Sequence, residues 1–319
     1  MIGSDPVLTA GPPKLPVGFV GLGLMGGPIA SRLASQGVPL VVYNRTRAKA
    51  DALAREGVRV AATPREVGRA ASGSVVFTCL SDGRALRSAL FGRSGIANGA
   101  GRDTLVVDLS TIDPEESREC AGRLAAGGIR FLDAPMGGSV DAASTGELLL
   151  YVGGAAEDLA RAEPFLAGFS RRRIVAGPTG SGSTLKLVNN LITLSTVALD
   201  AEALAFGERL GLDRTAMLDA LLDGGARSQM LENKRSLFAQ RSYPPRFKLT
   251  LARKDLELVR RSARGHGTVA PIAREAERLI EAAIRQGHGE LDVAAAFEAA
   301  RTRDAPKRAD APSAAEPTE

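Results

Sequence analysis

The stretch VGFVGLGLMGGPIA, Val17–Ala30, decides the fold. It opens with four residues of a buried strand, passes through Gly21-Leu22-Gly23-Leu24-Met25-Gly26, and continues into a helical pattern running from Met25 to Gln36. A Gly-x-Gly-x-x-Gly between a strand and a helix is the loop that cradles a pyrophosphate. Its first glycine permits the tight turn, its second lets the backbone approach the ligand, and its third lets helix and strand pack closely. The motif alone says little in a chain with 36 glycines. Here LVVYN follows at residues 40–44, where the second strand of a βαβ unit must stand.

Short apolar runs then recur between helical stretches. Arg47–Glu56 reads as a helix, and SVVFTCL at 74–80, TLVVDL at 104–109 and IRFLDAP at 129–135 read as strands. Continuous apolar runs alternating with helices predict a mostly parallel, doubly wound sheet of the Rossmann type. After LLLYVGG and RRRIVAG the pattern changes, and from Ser183 nearly everything has helical spacing. The expected organisation is a leader over residues 1–15, a nucleotide-binding α/β domain over 16–180, an all-α domain over 181–301 for substrate and dimerisation, and a disordered tail over 302–319.

Composition excludes several classes. The 319 residues are 44% hydrophobic and 24% charged, as in ordinary globular chains. Aromatics make up 4% and tryptophan is absent, so there is little to stack on bases. Lys and Arg exceed Asp and Glu by 41 to 36 without forming a basic block, and no nucleic-acid partner is expected. Cys79 and Cys120 are the only cysteines, too few for a disulfide framework or a zinc site, so no metal is expected. The N-terminus lacks the apolar core of a signal peptide, and Lys186, Asp200 and Glu202 interrupt the best candidate for a membrane span. These features predict a cytoplasmic protein.

The end of the second strand selects the dinucleotide. An NAD site places an acidic residue there, whereas this chain has Asn44-Arg45-Thr46. Arg45 can pair with a 2′-phosphate and Thr46 can donate to it, which favours NADP; otherwise Arg45 is a solvated loop residue.

Four motifs in order complete the pattern: GFVGLGLMG at 18–26, DAPMGGSVDAASTGEL at 133–148, GSGSTLKLVNN at 180–190 and FKLTLARKDLEL at 247–258. Together they resemble the β-hydroxyacid dehydrogenase family, which includes 3-hydroxyisobutyrate dehydrogenase and tartronate semialdehyde reductase. The resemblance implies oxidoreduction of a small anionic hydroxy acid or semialdehyde with a nicotinamide cofactor. The long apolar helix that carries GSGSTLKLVNN has more apolar surface than one domain boundary needs, so a buried subunit interface and a homodimer or homotetramer are expected.

Carbonyl reduction leaves negative charge on oxygen, so a cationic acid is needed beside it. His266 and His288 are the only histidines, and both lie in Gly-His-Gly segments that suit loops or helix ends. Lys186 is the better candidate, and the resemblance gives it the role of proton donor and acceptor. Asn190, one turn further along the same helix face, is the residue the family uses to orient substrate. Asn189 is expected to cap or pack. In DAPMGGSV the family commonly has Ser-Gly-Gly, whereas this chain has Gly137, Gly138 and Ser139. Two glycine amides still suit an anion, but the serine hydroxyl would reach it from another direction.

Leu80 and Ser81 are expected to line the adenosine side of the cofactor. Ser110 and Thr111 either contact the nicotinamide ribose or cap the helix ahead of Asp113-Pro114. Lys254 resembles the family lysine that closes over the cofactor, although a surface Lys-Asp pair would look the same. The alternatives are an imine reductase on the same scaffold, against which Lys186 argues, and a non-catalytic nucleotide-binding scaffold.

Overall fold

The computed structural model describes residues 15–54 and 58–302. The leader and tail assigned from sequence therefore lie, except for Leu15 and Thr302, outside the described residues, as do the last two residues of the helix expected over 47–56.

Nine strands form one sheet among these residues: β1 (Val17–Val20), β2 (Leu40–Tyr43), β3 (Arg59–Val60), β4 (Val75–Thr78), β5 (Leu105–Asp108), β6 (Arg130–Asp133), β7 (Met136–Gly137), β8 (Leu148–Gly153) and β9 (Ser170–Gly177). The order β3-β2-β1-β4-β5-β6 is parallel throughout, the doubly wound arrangement expected from the sequence. The sheet then turns mixed, because β8 runs antiparallel to β6 and β7, with β9 parallel to β8. The two-residue strands β3 and β7 carry too short a pattern to be read from sequence.

The apolar runs explain why both faces are covered. Phe19, Val42, Phe77 and Val107 enter one core cluster, while their neighbours Val20, Val41, Val76 and Val106 enter the other. Successive strand residues point to opposite faces, so a strand buried on both sides must be apolar throughout. Helices α1 (Gly26–Ser35), α2 (Arg47–Ala54), α3 (Pro64–Ala70), α4 (Gly83–Phe91), α5 (Pro114–Ala125), α6 (Val140–Thr145) and α7 (Ala156–Leu166) lie between the strands.

The helical part of the chain comprises α8 (Ser181–Arg209), α9 (Arg214–Asp223), α10 (Gln229–Gln240), α11 (Leu249–Gly265), α12 (Pro271–Ala283) and α13 (Ala296–Thr302). Two compact units form. One contains the described residues up to Leu194 together with Leu251–Arg274, so it includes the first half of α8 and most of α11. The other contains Ser195–Thr250 and the described residues from Glu275 onward. In this second unit Lys234 and Asp292 form a buried ion pair, with both carboxylate oxygens 2.8 Å from Nζ.

On α8, Leu187, Asn190, Leu194, Val197, Ala201 and Leu204 are buried at alternating spacings of three and four. A second apolar row, Val188, Ile192, Leu199, Phe206 and Leu210, is exposed. No described helix is long and apolar enough to cross a membrane.

The three motif glycines differ in what they permit. Gly21 has φ +103°, and a Cβ there would meet the Cys79 carbonyl oxygen at 2.2 Å, where the loops after β1 and β4 touch. A Cβ on Gly26 would meet the Gly21 oxygen at 2.0 Å. A Cβ on Gly23 would meet nothing within 4 Å. Gly26→Ala is therefore expected to cost about 2–3 kcal/mol in urea unfolding, and Gly23→Ala less than about 0.5 kcal/mol. Equal losses would contradict this division between packing and open space.

Candidate active site

The cradle for a dinucleotide is built by backbone. The Gly21 N–H donates to the Tyr43 carbonyl at 2.9 Å, and the Leu22 N–H donates to Asn44 Oδ1 at 2.9 Å. Asn44 Nδ2 in turn donates to the Thr46 carbonyl at 2.9 Å. Asn44 thus clamps the glycine loop to the end of β2. Leu22 packs its side chain into the core, whereas Leu24 is exposed and Met25 half-buried.

Helix α1 begins with no side-chain cap and no acidic residue in its first turn, so its partial positive charge is unopposed, although the Gly27 N–H already donates to the Gly23 carbonyl at 3.1 Å and Pro28 has no N–H to offer. With Gly23 facing open space, this end of the helix fits a pyrophosphate. Arg45 and Thr46 are exposed just beyond, and no described residue pairs with the Arg45 guanidinium.

At the ends of β4 and β5, Asp108 is sealed from solvent. Its Oδ1 accepts from Thr78 Oγ1 at 2.7 Å and from Ser110 Oγ at 2.6 Å, while Oδ2 has no partner. Burial raises the Asp108 pKa to about 7, against the pull of these hydrogen bonds, and the neighbouring Asp133 charge pushes the same way. Ser110 Oγ also accepts from the Leu80 N–H at 2.9 Å, so both capacities of its hydroxyl are engaged. Asp113, and neither Ser110 nor Thr111, caps α5, accepting from the Glu115 N–H at 2.9 Å. Ser81 is exposed and donates to Asp82 at 2.8 Å.

The start of α8 is anchored by Asp133, at the end of β6. Its two oxygens accept from the Gly180 and Ser183 N–H groups at 2.7 Å each. Close approach needs glycine at 182, where a Cβ would lie 2.2 Å from the Tyr151 carbonyl oxygen.

Lys186 follows one turn later. The residue is half-buried, yet protein encloses its amine closely enough that burial lowers its pKa to about 8. The Asp255 charge opposes that shift and the Lys254 charge adds to it. No described residue forms a hydrogen bond or ion pair with the Lys186 amine.

Asn190, on the same face, is sealed and donates through Nδ2 to Asp255 Oδ2 at 2.7 Å. Its Oδ1 accepts from Asn189 Nδ2 at 3.2 Å, and Asn189 Oδ1 accepts from the Tyr151 hydroxyl at 3.1 Å. Lys254, on α11, donates to the Thr111 carbonyl at 2.7 Å. It also lies 2.8 Å from Asp255 Oδ1, an ionic contact off the direction of a hydrogen bond. The structure thus gathers Lys186, Asn190, Lys254 and Thr111 around Asp255.

Gly137 and Gly138 stand at the end of β7, Gly138 exposed with φ +131°. Ser139 caps α6, its hydroxyl accepting from the Ala142 N–H at 3.3 Å. His266 is exposed at the end of α11, and His288 sits in a π-helical turn of the second unit. Neither joins the hydrogen bonds around Lys186.

Sequence reasoning missed Asp108, Asp133, Asp255 and Tyr151. Asp133 and Asp255 stood inside quoted motifs, and a buried acid at a strand end was the available signal. Tyr151 offered only its rarity, being one of three tyrosines.

Comparison with known proteins places the chain in a family and agrees with its fold. Residues 16–177 match the family described as the NAD binding domain of 6-phosphogluconate dehydrogenase, and residues 180–300 match NAD-binding of NADP-dependent 3-hydroxyisobutyrate dehydrogenase. The chain is 32% identical over 286 residues to the 3-sulfolactaldehyde reductase of Escherichia coli K12, covering 89% of this chain and 95% of that one. It is 30% identical over 285 residues to glyoxylate/succinic semialdehyde reductase 1 of Arabidopsis thaliana, covering 89% and 98%. The crystal structure of 3-hydroxyisobutyrate dehydrogenase from Salmonella typhimurium superposes with a TM-score of 0.81 at 28% identity, covering 89% and 99%.

The Asp108 environment generates a test. Its pKa is raised from 3.8 to about 7, so between these values the native state holds a proton that the unfolded chain has released. Stability falls as pH rises through that window, by up to about 1.4 kcal/mol per pH unit. Asp108→Asn keeps the acceptor and cannot ionise. Its melting temperature is expected to gain on wild type between pH 5 and pH 8, and a constant difference would refute the buried-acid account.

Proposed function

Because this chain belongs to the β-hydroxyacid dehydrogenase family, an NAD(P)-dependent group of oxidoreductases, we propose that it is an NADP-preferring enzyme interconverting a small anionic β-hydroxy acid and its semialdehyde. The observation that carries the proposal is Lys186, an amine with no partner among the described residues and a pKa lowered to about 8, one helical turn from the Asn190 amide.

A bound nicotinamide dinucleotide supplies or accepts the hydride, and this chain handles the proton. In reduction the Lys186 ammonium donates to the carbonyl oxygen as negative charge develops, then transfers its proton to give the hydroxyl. In oxidation the neutral amine removes the hydroxyl proton. Lowering the pKa toward 8 keeps both forms accessible near neutrality. Asp255 takes one hydrogen of Asn190 Nδ2 and leaves the other for substrate. The amides at Gly137 and Gly138 suit the anionic end. Lys254, bridging Thr111 and Asp255, holds the strand-end loop on which the cofactor's nicotinamide half would rest. The open cradle at Gly23 and the exposed Arg45, which no described residue pairs, support a dinucleotide bearing a 2′-phosphate.

The exposed apolar row on α8, Val188, Ile192, Leu199 and Phe206, with Leu210 just past its end, supports association with a second copy of this chain. Light scattering at micromolar concentration is expected to give at least twice the chain mass of 33.2 kDa, and a monomer would rule the association out.

The test is turnover of glyoxylate, succinic semialdehyde, tartronate semialdehyde, methylmalonate semialdehyde and a cyclic imine, each with NADPH and NADH. Lys186→Ala is expected to lower kcat at least about 100-fold while the NADPH Kd changes less than about threefold. Wild-type reduction should fall above about pH 8, where the amine loses its proton, and oxidation should rise through the same range. Arg45→Ala should weaken NADPH about tenfold and leave NADH unchanged. An unimpaired Lys186→Ala, or turnover of the imine alone, would overturn the proposal.

A further inference from the structure

Gly137 and Gly138 are glycines for different reasons. Gly138 needs its positive φ of +131°, whereas Gly137 has a backbone conformation open to any residue. What Gly137 lacks is room. A Cβ there would lie 2.8 Å from the Tyr151 hydroxyl oxygen, 3.3 Å from Cζ and 3.4 Å from Cε2. The hydroxyl of Tyr151, reaching from β8, therefore fills the space into which a side chain at 137 would project. The nearby serine does not compete for this place, because Ser139 accepts from the Ala142 N–H as the cap of α6.

The same hydroxyl starts a chain of hydrogen bonds that runs one way. Tyr151 donates to Asn189, Asn189 to Asn190, and Asn190 to Asp255, at 3.1, 3.2 and 2.7 Å. Each acceptor is used by the group before it, so orientation passes from Tyr151 to the amide one turn from Lys186. The first link is long for an O–H···O bond, which leaves the hydroxyl hydrogen free to turn to a stronger acceptor such as a carboxylate. Burial raises the Tyr151 pKa, so the phenol stays protonated and remains a donor.

We propose that Tyr151 is a specificity-determining residue of this site, its hydroxyl taking the place of a side chain at position 137 and meeting the carboxylate of the bound semialdehyde or hydroxy acid. The proposal rests on the reading given above under Proposed function. It makes Gly137 and Tyr151 a matched pair: a side chain at 137 displaces the phenol oxygen from its place, and removing that oxygen relieves the closest contact.

The experiment is steady-state kinetics at saturating NADPH with succinic semialdehyde and with butanal, an uncharged aldehyde. The proteins are wild type, Lys186→Ala, Tyr151→Phe, Gly137→Ser and the Tyr151→Phe/Gly137→Ser double variant. Tyr151→Phe is expected to raise KM for succinic semialdehyde about tenfold, with kcat within about threefold and KM for butanal unchanged. Gly137→Ser alone, with Cβ forced against the phenol oxygen, should lower kcat/KM at least about tenfold. In the double variant the nearest atom is Cζ at 3.3 Å, so a shift of the ring by a few tenths of an ångström admits the serine and KM should return to within about threefold of wild type.

A purely structural tyrosine would lower the melting temperature without separating the two aldehydes. An unshifted KM in Tyr151→Phe, or single effects that multiply in the double variant, would overturn the proposal while leaving a Lys186-dependent activity standing. Wild type that reduces no aldehyde would overturn the underlying functional reading, and this proposal with it.

Discussion

Two backbone N–H groups, of Gly180 and Ser183, close on the carboxylate of Asp133 at 2.7 Å each. This junction joins the end of β6 to the first turn of α8, and the placement of the site depends on it. A helix N-terminus has orphan donors and a partial positive charge, and a buried carboxylate satisfies both at once. Glycines admit the approach: a Cβ on Gly153 would lie 2.6 Å from Asp133 Oδ1, and one on Gly182 would meet the Tyr151 carbonyl. With the helix origin set there, Lys186 and Asn190 fall on successive turns beside the ends of the strands, where ligands of parallel sheets bind.

Charge distribution around Lys186 follows from which groups are already engaged. Lys254 is held by the Thr111 carbonyl and by Asp255, and Asp255 also receives Asn190. Among the described residues Lys186 alone in this group has no partner, so its charge is the one that burial and Lys254 can weaken. Two lysines facing one aspartate leave this corner electropositive, which suits an anionic substrate and opposes a second cation. Asp108, with its pKa near 7, carries only part of a charge at neutral pH and subtracts correspondingly little from that balance.

The parallel sheet, the glycine loop and the identity of Lys186 as the candidate acid were legible because each has a local signature. Turn glycines, apolar runs and an i,i+4 pair depend on neighbours within a few residues. Ser110 shows where such reading stops. Its position after a strand suggested either the ribose or a helix cap, but Asp108 and Leu80 engage its hydroxyl and Asp113 caps α5. The cap is Asp113 instead, and a residue buried two positions away engages the Ser110 hydroxyl in a way no local pattern announces.

The sequence by itself determined the parallel α/β start of the chain, its later helices, the glycine loop after β1 and Lys186 as the candidate acid. Tertiary structure decided what those residues touch. Asp133 reaches Gly180 across 47 positions, Asn190 reaches Asp255 across 65, and Lys254 reaches Thr111 across 143. Tyr151 presses on Gly137 from a neighbouring strand whose register no local pattern encodes. The physical reason is that hydrogen bonds, burial and charge act over a few ångströms of space, and only the folded chain determines which distant residues share that space.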